Sequence, residues 1–175
     1  SRTHLFVGRR RNAHGNSKSV SDDPSLEGAL MEPYRGYGIT LPFDRVPLHA
    51  QRDRIAELAD LGYTDAWSAE TDGTDAFTPL VLTSQWAPSL RLGTAIVPVF
   101  TRGPAVIAQS ALAMAQAAPG RFVLGLGTSS DVIVGRWNGM SFDEPYKRVR
   151  DTVRFVRAAL TGEKITETYD TFSIR

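Results

Sequence analysis

Cysteine is absent from all 175 residues, which excludes disulfides, thiolate nucleophiles and cysteine-bound zinc from the chemistry of this chain. Histidine is scarce: His4, His14 and His49 are scattered, two of them in the first 35 residues, so no metal site is proposed. An excess of either charge is missing too. Twenty Lys and Arg face 19 Asp and Glu, and a net +1 sets up no field for nucleic acid or an anionic membrane. No run is long and apolar enough to span a bilayer, and Ser1 to Val7 lack the charged start and apolar stretch of a secretory signal. The expectation from these absences is a cytoplasmic protein that binds neither nucleic acid nor membrane. No P-loop and no Ser-His-Asp arrangement stands out either.

What remains is an ordinary globular composition, 42% hydrophobic and 22% charged, in a chain long enough for one domain with a core. Residues 1–35 stand apart. They carry Arg9-Arg10-Arg11, a polar run from Asn12 to Ser19 and the acidic Asp22-Asp23, without helical or strand periodicity. They read as an irregular, disordered extension, and the short arginine run as a solvated one. Met31 falls just before the first convincing strand, and an extension, a linker and a misassigned reading frame all stay open for what precedes it.

From Tyr37 the pattern changes, because apolar β-type runs begin to alternate with helical ones. The strand candidates are Tyr37 to Leu41, Tyr63 to Ser68, Leu90 to Val97 and Arg121 to Gly127, with starts 26, 27 and 31 residues apart. A strand, a helix and two loops need about that many residues, so the interval points to consecutive βαβ units and a parallel sheet. Between them, Asp44 as N-cap and Pro47 in the first turn predict a helix ending at Gly62, with Ile55, Leu58 and Leu61 on its apolar stripe. A second helix starts after Asp75, takes Pro79 in its first turn and stops near Trp86, before Pro88. A third begins at Pro104 and a fourth runs from about Pro145 to Leu160, with Gly162 as its stop. Lys164 to Ile174 alternates weakly and reads as a hairpin.

Four βα units make either a small open sheet or half of an eightfold barrel, which needs about 250 residues in full. Spacing therefore gives an α/β fold and leaves closure open. The doubly wound alternative loses ground because its Gly-rich phosphate loop belongs after the first strand. Here Pro42-Phe43-Asp44 stands there, while Gly125-Leu126-Gly127 ends the fourth strand.

Two stretches carry a resemblance. Leu92-Gly93-Thr94-Ala95-Ile96-Val97-Pro98, continuing through Thr101-Arg102-Gly103-Pro104 to Gln109, and then Gly120-Arg121-Phe122 through Gly127-Thr128-Ser129-Ser130, resemble the third and fourth βα units of luciferase-like monooxygenases. The likeness is closer to their coenzyme F420-dependent branch, and it extends from about Tyr37 to the last residues. It implies a TIM (β/α)8 barrel, truncated to about four βα units plus a terminal hairpin over residues 36–175. It also implies a flavin or deazaflavin at the C-terminal ends of the strands, where barrel loops gather.

By that resemblance, the Ala95–Ile96 peptide falls where family members carry a non-prolyl cis bond that bulges the third strand against the cofactor ring; the alternative is a plain buried strand. Gly127, Thr128, Ser129 and Ser130 would bind the cofactor through close backbone approach, hydroxyls and amides, or else form an ordinary turn capping a short helix. Glu70 matches the histidine of an Asp-His pair that ends the second strand in several F420-dependent relatives, and Ala69 replaces the Asp. It is the candidate catalytic residue, because a carboxyl in an apolar pocket beside the ring can exchange a proton to match a hydride. The competing role is a surface acid or helix-cap partner. The missing Asp-His pair counts against a sugar-phosphate dehydrogenase. Trp67, Trp86 and Trp137 read as packing residues, with Trp137 also placed to wall a substrate side.

The implied function is hydride transfer or monooxygenation of a small organic substrate, with coenzyme F420 or, alternatively, reduced FMN. A second reading of a different class is a catalytically inactive half-barrel. Its exposed strand edges would favour a homodimer or a complementing half-barrel chain.

Overall fold

The computed structural model describes residues 36–175 and, ahead of them, the backbone of a three-residue strand, β1 (His4–Phe6). The elements then run β2 (Tyr37–Leu41), α1 (Arg52–Ala56), β3 (Tyr63–Ser68), α2 (Phe77–Trp86), β4 (Arg91–Thr94), β5 (Val97–Pro98), α3 (Pro104–Ala117), β6 (Phe122–Gly127) and α4 (Pro145–Ala159). An antiparallel hairpin of β7 (Glu167–Thr168) and β8 (Ser173–Ile174) follows.

Strands β2, β3, β4 and β6 are parallel and lie side by side in chain order. That order settles the architecture. Right-handed crossovers that all step the same way put every helix on one face, as in a barrel wall. A doubly wound sheet needs a reversal of direction and helices on both faces, and from β2 to β6 the strands step one way throughout. Leu41, Ala66, Leu92, Phe122, Leu124 and Leu126 face the helices, where they join Leu80 of α2, Ile107 and Met114 of α3, and Phe155 and Val156 of α4 in one buried core. Each of these side chains other than Ala66 contributes about 1.5–3 kcal/mol on burial.

The opposite face is built differently. Trp67 of β3 stands opposite Gly93 of β4 and Thr40 of β2, and its indole lies over Gly93 and reaches diagonally over Gly38, two residues before Thr40 on the same face of β2. An added Cβ would stand 2.8 Å from Nε1 at Gly38 and 2.2 Å from Cζ3 at Gly93. One large ring thus fills the inner face of the wall, and the glycines on either side make room for it.

The first helix departs most from the sequence reading. Asp44 makes no cap; a single 3₁₀ turn covers Leu48–Ala50 and α1 begins only at Arg52. Buried Gln51 explains the loop: its amide accepts from the Phe43 N–H at 2.9 Å and donates to the carbonyls of Phe43 (3.2 Å) and Val46 (2.7 Å). Three backbone groups satisfied this way hold residues 42–47 as a loop and leave no need for a helical turn there. Helix α1 also ends early, at Ala56, with turns carrying the chain on to Gly62. The ends of the other helices follow expectation. Asp75 accepts from the N–H groups of Phe77 and Thr78 at the start of α2, Pro104 opens α3, and Gly162 after α4 has φ +80°.

Within the segment expected to be irregular, β1 pairs in parallel with the outer edge of β6, from His4 opposite Val123 to Phe6 opposite Gly125. Backbone pairing to a free sheet edge needs no side-chain periodicity, which is why the sequence carried no signal for it. The rest of that segment, including Arg9-Arg10-Arg11 and Met31, lies outside the described residues. Among the described residues no helix is long and apolar enough to cross a membrane, and no His, Asp and Glu cluster is arranged to hold a metal ion.

Candidate functional site

The third strand of the wall is interrupted. β4 pairs with β6 at Leu92 opposite Phe122 and Gly93 opposite Val123, and β5 resumes at Val97 opposite Leu126. Four steps on one strand against three on the other make a one-residue bulge. The Ala95–Ile96 peptide in it is cis, so the bulged strand expected from the resemblance is present and the plain buried strand is not. Thr94 bridges the gap with its hydroxyl, which donates to the Gly125 carbonyl at 2.9 Å and accepts from the Gly125 N–H at 2.8 Å. Gly125 has to be glycine for this approach, since a Cβ there would lie 2.0 Å from the Thr94 carbonyl oxygen. Gly127 packs less tightly but still closely, with its missing Cβ 2.9 Å from Cγ1 of Ile96.

The bulge forms one wall of a cleft of about 230 Å³ lined by Ala69, Glu70, Thr71, Ala95, Ile96, Ser129, Ser130 and Ile133. These residues come from the C-terminal ends of β3, the β4–β5 bulge and β6, the end of a parallel sheet at which sites are built. Five of the seven candidates therefore meet: Glu70, Ala95, Ile96, Ser129 and Ser130. Gly127 supports Ile96 from beneath, and the Thr128 hydroxyl donates to the Ser129 carbonyl at 3.2 Å. Two larger depressions do not gather this chemistry. One, of about 620 Å³, lies beside α4 and the hairpin around Arg148; the other, of about 460 Å³, opens at the N-terminal ends of the strands around Arg91 and Arg121.

Glu70 does not sit in the apolar pocket expected for it. Nε of Arg102 lies 3.1 and 3.0 Å from its two carboxylate oxygens, and its own N–H donates to the Ile96 carbonyl at 3.2 Å. Oε2 also accepts from the Ala76 N–H at 3.4 Å, so part of the helix-cap alternative holds as well. The Arg102 guanidinium continues to Asp75, 3.6 Å from Oδ1, and lies over the Phe77 ring at 5.1 Å. Burial pushes the Asp75 carboxyl up, but hydrogen bonds from Thr78 and Phe77 and the Arg102 charge outweigh it and hold it below its ordinary value. Sequence reasoning quoted Arg102 in the resembling stretch and gave it no role. Its signal was position, a lone arginine just before the Pro104 that opens α3, at the ligand end of the sheet.

The Gly127 to Ser130 loop serves two purposes at once. Ser129 has φ +63°, a left-handed backbone uncommon for a non-glycine residue and concentrated at functional sites. The Ser130 hydroxyl accepts from the Ile133 N–H at 3.3 Å, the capping role weighed as the alternative, yet its own proton remains available to donate. The segment that follows, Val132–Trp137, is wound as a π-helix, which is rare and frequent near functional sites. It ends in a Trp137 that is 56% exposed, so this side chain is not the packing residue expected; Trp67 and Trp86 do pack.

Comparison with known proteins places the fold. A coenzyme F420-dependent oxidoreductase of Mycobacterium tuberculosis, so named provisionally, is 33% identical over 117 residues, covering 67% of this chain and 34% of that one. The structure of a coenzyme F420-dependent tetrahydromethanopterin reductase from Methanopyrus kandleri superposes with a TM-score of 0.66 at 21% identity over 80% of this chain and 44% of the other. The FMN complex of the oxygenating constituent of 3,6-diketocamphane monooxygenase from Pseudomonas putida gives 0.67 at 12% identity, with 79% and 43% covered. At such identities the superpositions show the shared fold, and this chain spans under half the length of each of these proteins. The family model described as luciferase-like monooxygenase matches residues 29–174, and the chain belongs to that family.

Proposed function

We propose that residues 36–175 form the ring-binding side of an oxidoreductase site that uses coenzyme F420, or alternatively FMN, to transform a small organic substrate in the cytoplasm. The observation that carries this is the single cleft at the strand C-termini that joins Glu70, the Ala95–Ile96 bulge and Ser129-Ser130. Its character fits a flat ring with a polar edge: Ala69, Ala95, Ile96 and Ile133 supply apolar surface, and hydroxyls and one carboxylate stand at the rim. Its size fits only part of a cofactor, since small-molecule sites run to roughly 300–1,000 Å³. The relatives named for F420, and the FMN complex among the structural neighbours, support a deazaflavin or flavin.

When bound, such a group supplies hydride transfer and, for a flavin, oxygen chemistry. The chain's residues do the rest. The Ala95–Ile96 bulge, supported by Gly127, presents apolar surface to one ring face. Thr128, Ser129 and Ser130 offer hydroxyls and amides to the polar edge. Glu70, held at the rim by Arg102, accepts a hydrogen bond or a proton at Oε1 or Oε2.

Titration of the purified chain with F420 and separately with FMN, followed by cofactor fluorescence alongside size-exclusion chromatography, tests this reading. Saturable binding by the monodisperse chain is expected, and a folded, monodisperse sample that binds neither refutes it. A second reading, a non-catalytic half-barrel that pairs with a complementing chain or its own copy, is favoured by one observation. The wall stops at β2, whose Tyr37 is 77% exposed. An oligomer that binds neither cofactor would support it.

A further inference from the structure

We propose that Arg102 is the positioning residue of the cleft: one guanidinium fixes the Glu70 carboxylate at the rim and joins the loop after β3 to the loop after β5. The inference rests on the reading of this cleft as a cofactor site. Glu70 is otherwise anchored only through its backbone, by the 3.2 Å bond to Ile96, and by the long 3.4 Å contact from the Ala76 N–H. A glutamate side chain so held has freedom to leave the cleft. Arg102 removes that freedom, because Nε lies within 3.1 Å of both carboxylate oxygens and selects one orientation of the carboxylate plane.

The arginine is itself fixed on two further sides. Its guanidinium lies over Phe77, which is buried and in ring contact with Phe122 of β6, and it is attracted to the Asp75 carboxylate that caps α2. Arg102 and Glu70 are equally exposed, 21% each, so the pair sits at the mouth of the cleft, where part of the water is excluded and a charge-assisted hydrogen bond holds geometry better than at an open surface. A lysine would keep the charge and lose the Nε–H that bridges both carboxylate oxygens.

Fluorescence titration of the whole chain with F420 is the test, on the parent and on R102K, R102Q, E70Q and the E70Q/R102Q double variant, each checked for fold by circular dichroism. R102Q is expected to weaken binding about tenfold, the scale of one charge-assisted hydrogen bond, and R102K about threefold. In the E70Q background R102Q should add less than a factor of two, because Arg102 acts through Glu70. Full additivity of the two losses overturns the proposal, since a merely structural arginine would weaken both backgrounds alike. The ¹⁵N–¹H signal of the Arg102 Nε–H gives a readout that needs no cofactor. It should be slow to exchange with water in the parent and in fast exchange in E70A, which leaves the Nε–H no side-chain acceptor at residue 70. An unchanged signal in E70A, checked for fold in the same way, overturns the proposal even if the parent binds no cofactor, a result that by itself would refute the proposed function and leave the positioning role to the Nε–H signal.

Discussion

Replacing Gly93 by Ala tests the claim that Trp67 and two glycines fill the inner face of the wall. The new Cβ would fall 2.2, 2.5 and 2.9 Å from three atoms of the Trp67 ring, whereas carbon atoms pack at about 3.5–4.0 Å. The indole has to move by more than an ångström, and it lies close over Gly38 as well, where an added Cβ would fall 2.8 Å from Nε1. Overpacking of this kind costs about 1–3 kcal/mol, offset in part by the roughly 0.5–1 kcal/mol that a strand glycine loses in entropy. A net loss of about 1–2 kcal/mol follows. Gly125→Ala should cost more, about 3 kcal/mol, because its Cβ meets the Thr94 carbonyl at 2.0 Å and displacing that backbone also breaks both Thr94 hydroxyl bonds. Urea denaturation by circular dichroism on the single variants, on Trp67→Leu, and on each glycine variant combined with Trp67→Leu gives the couplings. Trp67→Leu should recover most of the Gly93→Ala penalty and none of the Gly125→Ala penalty. Equal rescue of both, or additivity with Gly93→Ala, refutes the packing argument.

Asp75 and Asp151 both have folded pKa values held below the ordinary 3.8, against the upward push of burial, chiefly by hydrogen bonds from Thr78 in one case and from Arg150 and Thr171 in the other. A depressed carboxylate contributes stability above its unfolded pKa and loses it as the pH falls through the folded value. Acid titration of stability should therefore show a decline below about pH 4 that is shallower in a D75N/D151N variant. Asp151→Ala alone leaves the Thr171 N–H and hydroxyl donors of the hairpin without their acceptor, at a cost on the order of 1–3 kcal/mol, and should raise hydrogen exchange across β7 and β8 before the sheet. Deleting residues 1–6 should speed amide exchange at Leu124, the β6 residue opposite Leu5 of β1, while Gly125, whose N–H donates to the Thr94 hydroxyl, and β2 and β3 stay protected; unchanged exchange at Leu124 would show that β1 contributes nothing to that edge.

Much of the wall was legible in the residues because its signals are local. The four parallel strands begin within a residue of where the apolar runs begin, and α2, α3 and α4 start at the Asp75, Pro104 and Pro145 positions that capping and proline chemistry mark. The failures were non-local. Asp44 looked like a cap, and the first helix came late because Gln51, from beyond that turn, satisfies the loop's backbone groups. β1 had no periodicity to read, since its partner is a sheet edge some 120 residues away in sequence.

The candidate site divides the same way. Sequence by itself determined an α/β chain of βαβ units and, through a specific order of residues, the family whose loops bear Glu70, Ala95, Ile96 and Gly127 to Ser130. Tertiary structure alone decided that the strands run in unbroken order with helices on one face, which makes a barrel wall. It also decided that the third strand bulges at Ala95–Ile96 and that Glu70 meets Arg102 rather than an apolar pocket. The physical reason is range: capping, periodicity and turn chemistry act over three or four residues, whereas strand order and an ion pair spanning 32 residues exist only once the loops have been brought to one end of the sheet.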